Sequence, residues 1–233
     1  MNVVVLAGGT STERDVSLIS GSMIYKALLK KGHRAVLVDV YLGCEIPEGI
    51  LPEDIFKQDI DWAKDIRAIA ENNPDLTLIK EKRKGEKSFF GPNVLELCQM
   101  ADAVFMALHG ANGEDGKIQA CFELMGIPYT GSDHVSSAMA MDKGITKDIF
   151  RANGVPTPEG FRVKKEETDI RKPVAYPCIV KACCGGSSVG VTIARDEAEY
   201  EKALKEAFRY DPEAVVEQFV EGREFTCAVM DGK

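Results

Sequence analysis

Short apolar β-rich runs alternate with helix-spaced stretches through the first half of this chain, and that alternation restricts the fold more than any other feature. Val3–Ala7 reads as a buried strand. Val16, Ile19, Met23 and Ala27 then recur at helical spacing, and the helix they predict stops on Lys30-Lys31-Gly32. Cations in a last turn followed by glycine are the expected stop. Further strands are predicted at Ala35–Val40 and Ala103–Leu108, and Ile118, Cys121, Phe122 and Met125 mark a helix ended by Gly126. This alternation predicts a parallel sheet covered by helices on both faces. Ligands of such sheets bind beyond the carboxyl ends of the strands. The loops that start at Gly8 and His109 are therefore candidate site loops.

Between Tyr41 and Pro92 the pattern is less regular. Trp62, Ile66 and Ile69 suggest a helix halted before Pro74, followed by a Leu76–Ile79 strand and the charged run Lys80–Lys84, read as a solvated loop between strands. Near Gly131 the pattern changes again, and a domain boundary is placed there. Helices are predicted at Val135–Met141 and Ile145–Asn153, then strands at Gly160–Val163, Cys178–Lys181 and Val189–Ala194. Asp196, with Glu199 three residues on, opens an amphipathic helix buried through Tyr200, Ala203, Leu204, Ala207 and Phe208. Strands at Ala214–Phe219 and Glu224–Met230 complete an α+β half with a largely antiparallel sheet. The last of these runs into Asp231-Gly232, a hairpin turn signal whose partner strand would follow Lys233, so the polypeptide is expected to be a fragment.

A formal charge of −8 argues against nucleic-acid binding, since the one basic run, Lys80–Lys84, is interrupted and flanked by Glu81 and Glu86. The chain opens directly on a strand, and no stretch is long or apolar enough to span a membrane. Seven cysteines include no C-x-x-C pair, and Cys183-Cys184 read as loop-lining residues, which fits a reducing cytoplasm.

The chemistry concentrates in Pro177–Gly190. A short apolar strand delivers Lys181 into a turn dense with glycine and serine, where backbone N–H groups can converge on phosphate oxygens. No G-K-[ST] follows a glycine loop, so this is not a P-loop, and Gly8-Gly9 lacks the G-x-G-x-x-G dinucleotide pattern. From spacing alone, Thr10 and Glu13 read as a capping box.

Three collinear blocks carry a resemblance. They are Leu6-Ala-Gly-Gly-Thr-Ser-Thr-Glu-Arg-Asp-Val-Ser17, then Ala107-Leu-His-Gly-Ala-Asn-Gly-Glu-Asp-Gly116 continuing through Gly126–Ser132 to Met141-Asp-Lys143, and then Lys181–Gly190 followed by Glu217–Glu224. Together they resemble D-alanine–D-alanine ligases of the ATP-grasp superfamily over nearly the whole chain, least so from Tyr41 to Pro92. The resemblance implies an α/β fold: a Rossmann-like, parallel-sheet pre-ATP-grasp domain over residues 1–131, an α+β ATP-grasp lid domain over 132–221, and the first strand of a truncated C-terminal domain over 222–233. It also implies the reaction. ATP phosphorylates the carboxylate of one D-alanine, and the amine of a second attacks the acyl phosphate, giving the dipeptide of peptidoglycan precursors.

By the same resemblance Glu13 binds the ammonium of the first D-alanine, and His109, linked to the acidic turn Glu114-Asp115, orients that substrate. Lys143 and Lys181 contact the nucleotide phosphates. Ser187 joins the site's hydrogen-bond network, while Gly185, Gly186, Ser188 and Val189 belong to the loop that covers ATP. Glu217, with the backbone of Gln218 and Val220, meets the adenine edge, and Glu224 meets the ribose. A homodimer through the amino-terminal domain is implied as well.

Two departures stand out. Ala182 occupies a position where the family commonly has proline. The family's magnesium ligands and transition-state arginine have no counterpart before Lys233, so Mg2+ is expected to bind beyond it and this chain alone is expected to be inactive. The alternatives kept open are a D-alanine–D-lactate or D-alanine–D-serine ligase, and a non-catalytic nucleotide-binding module.

Overall fold

Val3–Ala7 and Ala35–Val38 are almost wholly inaccessible in a computed structural model of the chain, which describes residues 1–66, 75–167, 175–186 and 190–229. Strands buried on both faces read as continuous apolar runs, which is why these two were plain in the sequence. The chain divides into two units, Met1–Met141 and Asp142–Lys233.

The first unit is built on a parallel sheet of order β2-β1-β3, with β1 Asn2–Ala7, β2 Arg34–Asp39 and β3 Ala103–Met106. One face, through Val4, Leu6, Val36, Val38 and Val104, packs on α3 (Val94–Met100) and α4 (Lys117–Met125). The other, through Val5, Ala7 and Leu37, packs on α1 (Arg14–Lys30). Gly126 ends α4 in the left-handed region at φ 67°, as expected.

The α1 helix turns a different side to the sheet from the one its apolar spacing predicts. Met23 is 67% exposed and Val16 37%, whereas Arg14, Ser17, Gly21, Ser22 and Tyr25 are buried. Close approach explains this. A Cβ on Gly21 would stand 2.8 Å from the Ala7 Cβ, so the helix lies against the sheet along its smallest residues.

Three further expectations fail between Tyr41 and Pro92. Trp62–Asp65 forms turns and not the start of a helix, and Ile69 lies outside the described residues. The predicted Leu76–Ile79 strand is a helix, α2 (Leu76–Glu81), because the Asp75 carboxylate accepts from the N–H groups of Thr77 and Leu78 at 3.0 and 3.2 Å. The charged run is not simply solvated either. Arg83 is 7% exposed, and its guanidinium donates to the carbonyls of Tyr41, Ser88, Phe89 and Phe90 and to Glu86. Five donors in a rigid fork suit it to gather a loop's carbonyl groups.

The first unit runs through α5 (His134–Met141). Glu123 on α4 holds the segment before that helix, accepting from Tyr129 Oη at 2.7 Å and from the His134 N–H at 3.1 Å.

The second unit carries an antiparallel sheet of order β4-β7-β5-β6, made of β4 Gly160–Lys164, β5 Cys178–Ala182, β6 Val191–Ala194 and β7 Glu213–Gln218. Helix α7 (Glu197–Ala207) covers one face through Tyr200, Ala203, Leu204 and Ala207. Its cap is the expected one, with Asp196 accepting from the Glu199 N–H at 2.9 Å. Helix α6 (Lys143–Ala152) opens the unit. The predicted Glu224–Met230 strand does not form: among the described residues, 224–229 are exposed and pair with no strand, and a lone strand leaves its backbone groups to water. Met230 and the Asp231-Gly232 turn lie outside the described residues.

Candidate functional site

The first cluster sits at the carboxyl ends of β1, β2 and β3. Gly8 and Gly9 have φ of 78° and 87°, and a Cβ on Gly8 would fall 2.4 Å from Asp39 Oδ2, so this turn needs glycine. Arg14, in the first turn of α1, pairs with Asp39 and donates to the Gly9 carbonyl at 2.6 Å. Buried Ser17 accepts from the Gly8 N–H at 2.9 Å and donates to the Ala107 carbonyl at 2.7 Å. Ser11 donates to the His109 carbonyl at 2.7 Å and accepts from the Glu13 N–H at 3.1 Å. These bonds fasten the loop after β1 to the loop after β3.

Glu13 is itself the N-cap of α1, so Thr10 and Glu13 do not make a capping box. Its carboxylate lies against the second loop, where a Cβ on Gly110 would meet Glu13 Oε2 at 2.8 Å. The His109 ring lies 3.3 Å from Ser20 Oγ through Nε2. Its expected link to the acidic turn runs through backbone: Glu114 accepts from the Gly110 N–H at 3.0 Å and Asp115 from the Asn112 N–H at 3.0 Å. Burial pushes the Asp115 carboxyl up, but its bonds from Lys117 and Asn112 outweigh that and hold it below the usual range.

The second cluster lies on the sheet face opposite α7. Strand pairing sets Ile179 across from Glu217 and Lys181 across from Val215, so Lys181 and Glu217 are diagonal neighbours on that face. They form an ion pair. Gly160 stands opposite Glu217, and a Cβ there would come within 2.8 Å of the Glu217 side chain. Lys147 reaches in from α6 and donates to Glu217 Oε2 at 2.8 Å. Burial raises the Glu217 carboxyl, yet the bonds from Lys147 and Lys181 prevail and lower it. Half-buried Ile179, Val191 and Ile193 extend the face beside the lysine as an apolar bed.

Lys143 closes the group. Its Nζ donates to the Gly185 carbonyl at 2.8 Å, its N–H donates to the Cys183 carbonyl at 3.0 Å, and burial lowers its pKa. Gly185 has φ 125° at the mouth of the glycine loop. Lys143, Lys181, Gly185, Gly186 and Glu217 are thus brought together, while Ser187, Ser188 and Val189 lie outside the described residues. Gln218 ends β7, its N–H given to the Glu159 carbonyl at 2.8 Å. Val220 and Glu224 follow on an exposed segment that is not drawn into the cluster. A cavity of about 690 Å³ lined by Lys165, Tyr200, Leu204 and Phe208 lies on the α7 side, across the sheet from Lys181 and Glu217.

The D-ala D-ala ligase N-terminus family model matches residues 2–132, and the D-ala D-ala ligase C-terminus model matches residues 150–233. The chain belongs to the D-alanine–D-alanine ligase family. It is 44% identical to a D-alanine--D-alanine ligase of Pediococcus pentosaceus, over 100% of this chain and 66% of the relative. It is 41% identical to that of Lacticaseibacillus casei, over 100% of this chain and 65% of the relative. The chain therefore spans about two thirds of the length of these curated relatives. Among solved structures it resembles a D-alanine--D-alanine ligase from Bacillus anthracis, with TM-score 0.65 and 30% identity over 95% of this chain and 58% of that one. The same protein complexed with ATP matches with TM-score 0.63 and 28% identity, over 95% of this chain and 60% of that one.

Two residues that organise these ligase-family clusters were not anticipated. Arg14 adjoins Glu13, and its burial follows from the inverted face of α1, which its spacing did not reveal. Lys147 lies four residues after Lys143, one turn along α6, and that i, i+4 repeat of lysine is the signal that could have found it. Among the described residues, no group of three His, Cys, Asp or Glu side chains could hold a metal ion.

Proposed function

We propose that this chain is the nucleotide-binding and first-substrate portion of an ATP-dependent ligase that joins two D-alanines through an acyl phosphate for peptidoglycan precursors. The observation that carries this reading is the convergence of Lys143, Lys181 and Glu217 at the mouth of the glycine loop. It occurs in a chain matching D-alanine--D-alanine ligases along its whole length.

The residues divide the work. Lys143 and Lys181 neutralise the triphosphate, under a loop of Gly185, Gly186, Ser187, Ser188 and Val189 that shields it from water. Glu217 accepts from the adenine amine, with backbone of Gln218 and Val220 along the base edge and Glu224 at the ribose; Ile179, Val191 and Ile193 supply the apolar bed. Glu13, at the start of α1, pairs with the ammonium of the first D-alanine, and His109 orients it. The carboxylate of that D-alanine attacks the γ-phosphorus and ADP leaves. The amine of the second D-alanine adds to the acyl carbon, and the tetrahedral adduct expels phosphate to leave the dipeptide. For phosphoryl transfer such a protein chiefly positions reactants and neutralises charge. Mg2+ would bind through residues outside this chain, so the chain binds ligands without turning them over. The reading also carries a cytoplasmic location and a homodimer through the first unit, where exposed Val16 and Met23 on α1 supply apolar surface.

Titration calorimetry with ATP, then D-alanine, tests the proposal, with E13Q as control. ATP heat from both proteins, and D-alanine heat from the unaltered chain alone, is the expected result. Absence of ATP binding overturns the nucleotide reading. D-alanine binding that survives E13Q overturns the role of Glu13, and ADP release driven by D-alanine overturns the inactivity of the chain alone.

A further inference from the structure

Lys147 differs from the other two lysines of its cluster. It is 6% exposed, and its three ammonium protons meet three protein acceptors: Glu217 Oε2 at 2.8 Å, the Pro158 carbonyl at 2.5 Å and Thr157 Oγ1 at 3.2 Å. An ammonium has three donors and no more, so Lys147 has none left for a phosphate. Lys181, by contrast, is half-buried and held by Glu217 Oε1. Glu217 thus has two oxygens and a different lysine on each.

These positions suit an exchange of partners on nucleotide binding. When Lys181 turns from Oε1 to a phosphate, that oxygen becomes free to accept from the adenine amine. At that moment Glu217, 8% exposed, would be a buried carboxylate without a counter-charge, a costly state, unless a second cation stays in place. Lys147 is that cation. The segment before β4 fixes its head group, and the head group in turn fixes Oε2, which leaves Oε1 to Lys181.

We propose that Lys147 is a positioning residue for base recognition. It holds Glu217 ionised and oriented through Oε2, so that Lys181 is released to the phosphates and Oε1 reads the adenine amine. The inference rests on the adenine reading of Glu217 given above, and it deepens that reading by making nucleotide preference depend on a lysine that touches no nucleotide atom.

The test compares binding of ATP and inosine triphosphate to this chain, since the latter carries an oxygen where adenine has its amine. The unaltered chain is expected to prefer ATP by about tenfold or more, the effect of one charged hydrogen bond gained or lost. In K147M the preference is expected to fall within about threefold, because the carboxylate is no longer held for the amine. A general loss of structure would weaken both triphosphates alike and keep the ratio. In the E217Q background, adding K147M is expected to leave the ratio unchanged, because Lys147 acts only through Glu217. That pair of variants removes both charges and keeps the inference open to refutation even if K147M alone does not fold. Equal binding of the two triphosphates by the unaltered chain overturns the adenine reading and this inference with it. An ATP preference that K147M retains, or a ratio that falls further from E217Q to K147M/E217Q, overturns the role of Lys147 alone.

Discussion

Ala182 donates its backbone N–H to the carbonyl of Gly190 at 3.1 Å, so the last residue of β5 and the residue entering β6 close the stem of the glycine loop. A Cβ on Gly190, at φ 68°, would stand 3.2 Å from that of Ala182, so the closure is also a close packing contact. Proline at the position of Ala182 would have no N–H to give. Here the stem is hydrogen-bonded where a prolyl stem could not be.

Replacing Ala182 by proline is expected to open the stem and to destabilise the second unit. The N–H that proline removes is hydrogen-bonded, so the loss of about 1 kcal/mol or more is not offset by the reduced freedom of the unfolded chain. Hydrogen exchange of the Cys183 and Cys184 amides, which donate to the Glu213 carbonyl and to Asp211, should accelerate and the urea midpoint should fall. Unchanged exchange at both amides would show that the bond does not hold the stem.

Glu217 gives the second unit a predictable acid response. Two lysines hold its folded pKa below the ordinary 4.5, outweighing the opposing effect of burial. A depressed folded pKa means that the unfolded chain binds the proton more readily. The contribution is therefore complete above pH 4.5 and is lost as pH falls through the folded value. Substitution E217Q leaves Lys147 and Lys181 facing a neutral amide and should cost about 3 kcal/mol at neutral pH, as breaking a buried ion pair does. Denaturant midpoints measured from pH 7 to pH 3 should converge for the two proteins on the acid side. Parallel curves would remove Glu217 as the source.

Much of the fold could be read in the sequence wherever a residue's surroundings are set by its near neighbours. Val3–Ala7 announces a doubly buried strand, Gly126 a helix stop, and Asp196 with Glu199 a helix start, all through local chemistry. The failures share a different cause. The face that α1 buries is chosen by the space that Gly21 leaves against Ala7, and Arg83 is held in part by the carbonyl of Tyr41, 42 residues away. Of the site, the pairing of Lys181 with Glu217 needs strand register, which no spacing encodes, and Lys147 takes its meaning from a carboxylate in another strand. The enclosure of Lys147 by Thr157, Pro158 and Glu217, against the half-buried setting of Lys181, is likewise set by tertiary packing.

Arg83 should prove far more important than its charged neighbours. In R83M the carbonyls of Tyr41, Ser88 and Phe89 lose their donor together, while Phe90 keeps the Ser88 hydroxyl, and unsatisfied buried polar groups cost about 1–3 kcal/mol each before relaxation. A loss of at least about 3 kcal/mol is expected, against a change within about 0.5 kcal/mol for K84A, whose side chain is exposed. Chemical denaturation of the two variants side by side decides it; equal effects would return the whole run to the solvated class.

Gly8 and Gly32 separate steric demand from backbone strain. Both have left-handed φ, at 78° and 80°, but a Cβ on Gly8 would strike the Asp39 carboxylate while one on Gly32 would meet nothing within 4 Å. G32A should therefore cost only the strain of a left-handed alanine, about 1 kcal/mol. G8A adds a collision with a carboxylate that Arg14 pins in place, so the loop has to move and the Arg14–Asp39 pair is disturbed with it. A loss of about 3 kcal/mol or more is expected, because a buried ion pair is broken in addition. Because the same loop carries Glu13, D-alanine binding should fall in G8A and not in G32A. Equal thermal shifts for the two alanine variants would mean that the Asp39 carboxylate yields without cost, and that the turn after β1 is set by φ alone.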